Sequence, residues 1–155
     1  MSELKKAISW TVKNFEELTK MELHDLLRLR VDVFIVEQDC PYPEIDGKDP
    51  KCLHVLGKTS DNELVAVARI APPDIIYKET SIGRVVTKEN MRGQGIGVEL
   101  MHRSIQYCER ELVSETIKIA AQKYLENFYT DLGFKTISDI YIWDGIEHID
   151  MRLTF

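Results

Sequence analysis

The sequence predicts a mixed α/β (α+β) domain over residues 1–155, with a mostly antiparallel central sheet of about seven strands flanked by helices. Three observations predict it. Short β-branched runs with period-two alternation recur along the chain. Stretches with apolar residues at helical spacing separate them. A glycine-rich turn, Gly93 to Gly97, joins a β-branched strand to one of those helical stretches. At 155 residues the chain is the size of one domain, and no internal repeat or low-complexity stretch divides it.

A first strand is expected through Ile8-Ser9-Trp10-Thr11-Val12. Thr19 with Glu22 three residues on forms a capping box for a helix that carries Leu23, Leu26, Leu27 and Phe34 on one stripe. Residues 37–51 hold Pro41, Pro43, Pro50 and Gly47 and read as a loop. Its Glu37, Asp39, Glu44, Asp46 and Asp49 face only two lysines, so it is expected to attract a cationic acceptor. A hairpin follows, with arms at Leu53–Lys58 and Leu64–Ala68 around Asp61-Asn62. A two-residue turn there sets Lys58 opposite Val65 and His54 opposite Arg69. Pro72-Pro73 ends the hairpin.

Ser81 to Thr87 is the next strand, and Ile96, Leu100, Tyr107/Cys108 and Leu112 trace the helix after the glycine turn. Thr116 to Ala121 reads as a strand. A short helix then aligns Leu125, Phe128 and Leu132, with Gly133 past its end. Asp144-Gly145 turns a last hairpin, whose arms set His148 opposite Tyr141. That pair is expected to stabilise the sheet. His24 is expected on a helix surface.

The formal net charge is −6 with no Lys/Arg run, which argues against a duplex nucleic-acid partner. No apolar stretch follows Met1-Ser2-Glu3-Leu4-Lys5-Lys6, and no run approaches the roughly 18 apolar residues of a membrane span. Cys40, Cys52 and Cys108 are odd in number and widely spaced, which fits unpaired thiols better than a disulfide framework or a zinc site. A cytoplasmic protein without a metal or a membrane partner is expected.

The turn Arg92-Gly93-Gln94-Gly95-Ile96-Gly97 carries the most chemistry. Glycine permits positive φ and close backbone approach. The first amides of a helix lack intrahelical partners, and the helix dipole favours an anion there. A P-loop would need Gly-Lys-Ser/Thr, and a dinucleotide fold would need GxGxxG with an acidic ribose anchor; neither is present. The turn alone leaves two readings, a CoA pyrophosphate loop or a connection without ligand.

A second segment, Phe128-Tyr129-Thr130-Asp131-Leu132-Gly133-Phe134, lies at the interval from the glycine turn that the GNAT acetyltransferase family shows. The pattern Arg/Gln-x-x-Gly-x-Gly/Ala from Arg92 to Gly97 matches that family, and the whole chain resembles its element order. Glu37-Gln38-Asp39-Cys40-Pro41-Tyr42-Pro43-Glu44-Ile45-Asp46-Gly47 and Asp144-Gly145-Ile146-Glu147-His148 resemble the ElaA-like branch.

The resemblance implies an acetyl-CoA-dependent N-acetyltransferase acting on a small-molecule or peptide amine by direct attack. It implies that Arg92 and the amides of Gly93, Gln94, Gly95, Ile96, Gly97 and Val98 hold the pyrophosphate. The main chain of Val85, Val86 and Thr87 would hold the pantetheine arm and polarise the thioester. Gln122, where many relatives carry asparagine, would bond the pantetheine. Tyr129 would protonate the departing thiolate; by spacing alone it reads equally as a core tyrosine. The glutamate that many relatives place on the strand after the cofactor helix is absent, since Ile117, Lys118 and Ile119 stand there.

Two base candidates follow. Glu37 is either a surface carboxylate at a helix end or a base beside the acidic loop. His54 is either packed in the sheet or a base that Arg69 keeps neutral. Cys40 has no base near it in sequence and is not expected to carry an acyl group. A non-catalytic acyl-CoA sensor or interaction module on the same fold is the alternative, and a homodimer is compatible with the family.

Overall fold

The structure is a computed structural model that describes residues 7–155. The Met1–Lys6 segment read above lies outside the described residues. Strand β1 (Ser9–Asn14) leads to helix α1 (Lys20–Val31). Thr19 Oγ1 accepts from the Glu22 amide while Glu22 returns a bond to the Thr19 amide, so the expected capping box forms. The helix does not stop at Val31. It widens over Asp32–Glu37, where the Gln38 amide reaches the Val33 carbonyl and the Cys40 amide reaches Ile35, both five residues back. Such π-type turns are rare and concentrate at functional sites.

Strands β2 (Leu53–Lys58), β3 (Leu64–Ala71) and β4 (Thr80–Thr87) follow, then α2 (Ile96–Arg110), β5 (Thr116–Gln122) and the short α3 (Glu126–Asp131). Strands β6 (Lys135–Thr136), β7 (Tyr141–Trp143) and β8 (Ile146–Thr154) finish the chain. They form one sheet of order β1-β2-β3-β4-β5-β8-β6, with β7 also on β8, eight strands among the described residues. The eighth, beyond the seven expected, is β6, whose two residues are too few for a periodicity to register. Among the described residues only β4–β5 is parallel.

The two faces have separate cores. Leu100, Met101 and Cys108 of α2 pack with Tyr129 and Phe134 onto Val55, Ile70, Ile117, Ile119, Ile149 and Met151. Leu26 and Leu29 of α1 cover Leu56, Leu64, Val67 and Val86 on the other face. Burying such side chains is worth about 1.5–3 kcal/mol each.

One register expectation needs correction. His54 does face Arg69, but Lys58 pairs with Leu64, because the ladder shifts between Gly57 and Lys58. The connection is a loop over 59–63, closed by the Thr59 amide on the Glu63 carbonyl at 2.9 Å, with Asn62 at φ 66°. Gly57 is required there, since a Cβ would lie 2.6 Å from the Trp10 ring.

Candidate active site

The site begins with a strand distortion. On β3, Ala68 alone lies between Val67 and Arg69, whereas their partners Val86 and Gly83 on β4 enclose both Arg84 and Val85. This is a β-bulge, and it bends its strand. Arg84 occupies it at φ 51°, a left-handed conformation that non-glycine residues adopt only when their surroundings enforce it. Strand β4 pairs with β5 only at Thr80↔Ile117 and Ser81↔Lys118. Beyond Ser81 the two strands diverge, and the β4 edge at Val85–Thr87 faces the gap without a strand partner.

Buried charge holds the bulge. Arg84 Nε lies 2.7 Å from Glu44 Oε1, an ion contact off the hydrogen-bond line, and its Nη2 donates to the Glu44 carbonyl at 3.2 Å. The Tyr42 ring lies beneath the guanidinium. Arg30, 1% exposed, grips the Glu44 and Asp49 carboxylates at 2.5 and 2.8 Å. Arg69 takes Asp46 and Asp49 at 2.9 and 3.2 Å. Three guanidinium groups thus neutralise three carboxylates. Burial pushes the Asp46 carboxyl up, but Arg69, the Lys48 amide and Arg84 outweigh it and hold the group at about 2. This corrects the reading of the 37–49 loop as a lure for cations: Glu44 and Asp49 are buried, and all three carboxylates, Asp46 included, are already paired with arginines.

The glycine turn stands at the open end of the gap. Gly93 and Gly95 have φ of 79° and 78°, and Gly95 is the residue from which α2 starts. A Cβ built on Gly93 would meet nothing within 4 Å, so the turn presents open backbone. Gly97 sits against Thr87, with its notional Cβ 3.6 Å from Thr87 Oγ1. The start of α2 and the unpaired end of β4 are therefore neighbours. Ile96 is buried beneath the turn and Val98 is exposed.

The widened turn after α1 bridges the gap. Arg92 forks onto Glu37 at 2.6 and 2.8 Å, and its Nε donates to the Thr87 carbonyl at 3.2 Å. The Arg92 bonds hold the Glu37 carboxyl below its ordinary range. One residue on, Gln38 accepts from Gln122 Nε2 at 3.2 Å, at the end of β5.

Tyr129 is 8% exposed and packs edge-on to Phe128 and Phe134, with centroids 5.1 and 5.9 Å away. Burial, aided by the nearby Tyr124, pushes its phenol up to about 12, so it is protonated at neutral pH. His54 is 2% exposed, and its Nε2–H donates to the Asp49 carbonyl at 3.0 Å. Burial chiefly depresses its pKa, with Arg30 and then Arg69 adding less. The imidazole is neutral but closed off beneath the ion network. The structure thus brings Val85–Thr87, Arg92–Val98, Glu37 and Gln122 around one gap, and leaves His54 inside the fold. Gln38 and Arg84 join the site without having been singled out; an arginine inside a β-branched run next to Gly83 is the only trace the second left in the sequence.

Comparison with known proteins agrees with this geometry. The acetyltransferase (GNAT) domain model matches residues 24–155. The chain belongs to the GNAT acetyltransferase family. It is 40% identical to the UPF0039 protein of Synechocystis sp. over 93% of this chain and 94% of that one. It is similarly 40% identical to ElaA of Escherichia coli strain K12, over 93% and 95%. The crystal structure of Escherichia coli ElaA superposes with a TM-score of 0.88 at 39% identity, covering 95% of this chain and 99% of that one. An acyl-CoA N-acyltransferase from Pseudomonas aeruginosa superposes with a TM-score of 0.89 at 37% identity, covering 96% and 100%. The GNAT fold and the ElaA-like branch expected from the motifs are therefore correct. Among the described residues no cluster of His, Cys, Asp and Glu could hold a metal, and no helix is long and apolar enough to cross a membrane. Cys40, Cys52 and Cys108 are free thiols, all buried.

Proposed function

We propose that this GNAT protein moves an acetyl group from acetyl-CoA to a primary amine by direct attack in a ternary complex. The observation that carries the reading is the gap between β4 and β5, whose unpaired β4 edge lies beside the start of α2. An extended thioester arm adds to such an edge by main-chain hydrogen bonds, and a pyrophosphate suits a helix N-terminus.

Val85, Val86 and Thr87 would pair with the pantetheine arm, and a β4 amide would polarise the thioester oxygen. The amides of Gly93 to Val98 would hold the pyrophosphate, and Arg92, still forked onto Glu37, would add its charge beside it. Gln122 would bond the pantetheine, turning from Gln38. Tyr129 would give its phenolic proton to the departing thiolate; its raised pKa keeps that proton available at neutral pH. No thiol is presented for a covalent acyl carrier, since Cys40 Sγ is buried against the Asp144 carbonyl at 3.3 Å. The acceptor is a small molecule or peptide amine, reached in the cytoplasm without nucleic acid or membrane; its charge preference does not come from Glu44, Asp46 or Asp49.

The test is thermal stabilisation by acetyl-CoA, CoA, ATP and NAD, followed by thiol release with a panel of primary amines. A ligand at 100 times its Kd adds about 2.7 kcal/mol. Stabilisation by acetyl-CoA over ATP and NAD, with amine-dependent thiol release, supports the proposal. Stabilisation without release by any amine favours an acyl-CoA sensor.

A further inference from the structure

The proposed transfer leaves one role unfilled, because an alkylammonium must lose a proton before its nitrogen can attack. Glu37 is a poor acceptor while forked onto Arg92, and His54 is shut inside the fold. His148 differs from both. It lies on β8 directly opposite Gln122, the last residue of β5 and the one at the open end of the gap. Directly opposed residues of an antiparallel pair project from the same face, with Cβ atoms about 4.5–5.5 Å apart. Their neighbours Ala121 and Ile149 are buried on the α2 side, so Gln122 and His148 project from the other face, where Gln38 meets Gln122. The glycine turn feeds α2. A cofactor held there leaves the opposite face of the gap open to an acceptor, and His148 stands on that face.

The ring is held in a defined state. Nδ1 lies 2.8 Å from the Ile146 carbonyl, and a carbonyl only accepts, so Nδ1 carries a proton. In the neutral ring Nε2 is then the free lone pair. Tyr141 stacks on the imidazole at 6.0 Å and 22°, and Trp143 leans over it at 5.5 Å. The two aromatic rings steady the imidazole.

The structure assigns His148 as the general base of the transfer; the assignment rests on the acyltransferase reading above. His148 Nε2 takes one proton from the ammonium, and the freed amine nitrogen bonds to the thioester carbon. As the carbon–sulfur bond breaks, the thiolate takes the phenolic proton of Tyr129, the nitrogen's second proton passes through solvent to the Tyr129 phenolate, and His148 releases its proton to solvent as the amide leaves. Tyr141, which stacks on the ring, donates from Oη to Asp150 at 2.6 Å, Asp150 lies 3.9 Å from Lys118 Nζ, and Lys118 sits over the Tyr77 ring.

The experiment uses the full chain, acetyl-CoA and a panel of primary amines, with thiol release as readout. His148→Gln is expected to lower kcat by about 10²–10⁴ and to keep the acetyl-CoA thermal shift. Added imidazole is expected to restore part of the turnover of His148→Ala, which mere support of the hairpin would not allow. An active wild type with His148→Gln above a tenth of its kcat, or His148→Ala without imidazole rescue, overturns the assignment and leaves the acyltransferase reading intact. A wild type that binds acetyl-CoA and releases no thiol with any amine overturns both.

Discussion

Replacing Arg30 with methionine tests whether the buried ion network holds the site together. The guanidinium makes four contacts at 3.3 Å or less to the side chains of Glu44 and Asp49. All three residues are at most 4% exposed. Methionine fills the volume and strands the two carboxylates. Removing one partner of a buried pair costs about 3–5 kcal/mol. Arg84 still contacts Glu44 and Arg69 still contacts Asp49, so the lower end, about 3 kcal/mol, is expected. For a chain of this size that lowers Tm by roughly 6–12 °C. Differential scanning calorimetry at neutral pH reads the shift, and urea titration checks that the m-value is unchanged. Adding Asp49→Asn to Arg30→Met should recover part of the loss, because one stranded charge is gone. A single-variant loss below about 1 kcal/mol, or no recovery in the double variant, would refute the reasoning: the carboxylates would then be solvated rather than buried.

Three further outcomes follow from the same geometry. Gly95→Val forces a β-branched residue to φ 78°, so it should cost about 1–3 kcal/mol in urea titrations and abolish the acetyl-CoA thermal shift. Tyr129→Phe keeps the packing on Phe128 and Phe134 and removes the proton donor, so kcat should drop about 10²-fold or more while acetyl-CoA affinity by calorimetry stays level. Burial pushes the Glu22 carboxyl up, but Lys58, the Thr19 amide and Lys13 outweigh it and hold the group at about 2 against 4.5 unfolded. Its stabilisation is therefore present above pH 4.5 and lost as pH falls toward 2, on the order of 3 kcal/mol, and Glu22→Gln should flatten the stability profile across that window.

The elements were legible where one local signal sufficed. Thr19 with Glu22 gave the start of α1, Gly93 and Gly95 marked the turn into α2, and Asp144-Gly145 set Tyr141 opposite His148. What escaped depends on contacts distant in sequence. The bulge sits at Arg84 rather than at Gly83, because Glu44 and Tyr42, about forty residues earlier, hold an arginine in a conformation it would otherwise avoid. The gap between β4 and β5, where pairing stops at Ser81, has no signature within either strand. The acidic loop misled for the same reason: composition counts Glu44, Asp46 and Asp49 as free charge, and only the fold brings Arg30, Arg69 and Arg84 to them. The slip of Lys58 onto Leu64 came from an irregularity in the ladder at Gly57, which alternation alone does not encode.

The most direct test of the central claim is thiol release from acetyl-CoA by the full-length protein in the presence and absence of primary amines. The account predicts release that depends on the amine, saturates in acetyl-CoA, and leaves an acetylated amine detectable by mass spectrometry. A folded protein that gives no acetylated product from any amine would contradict it.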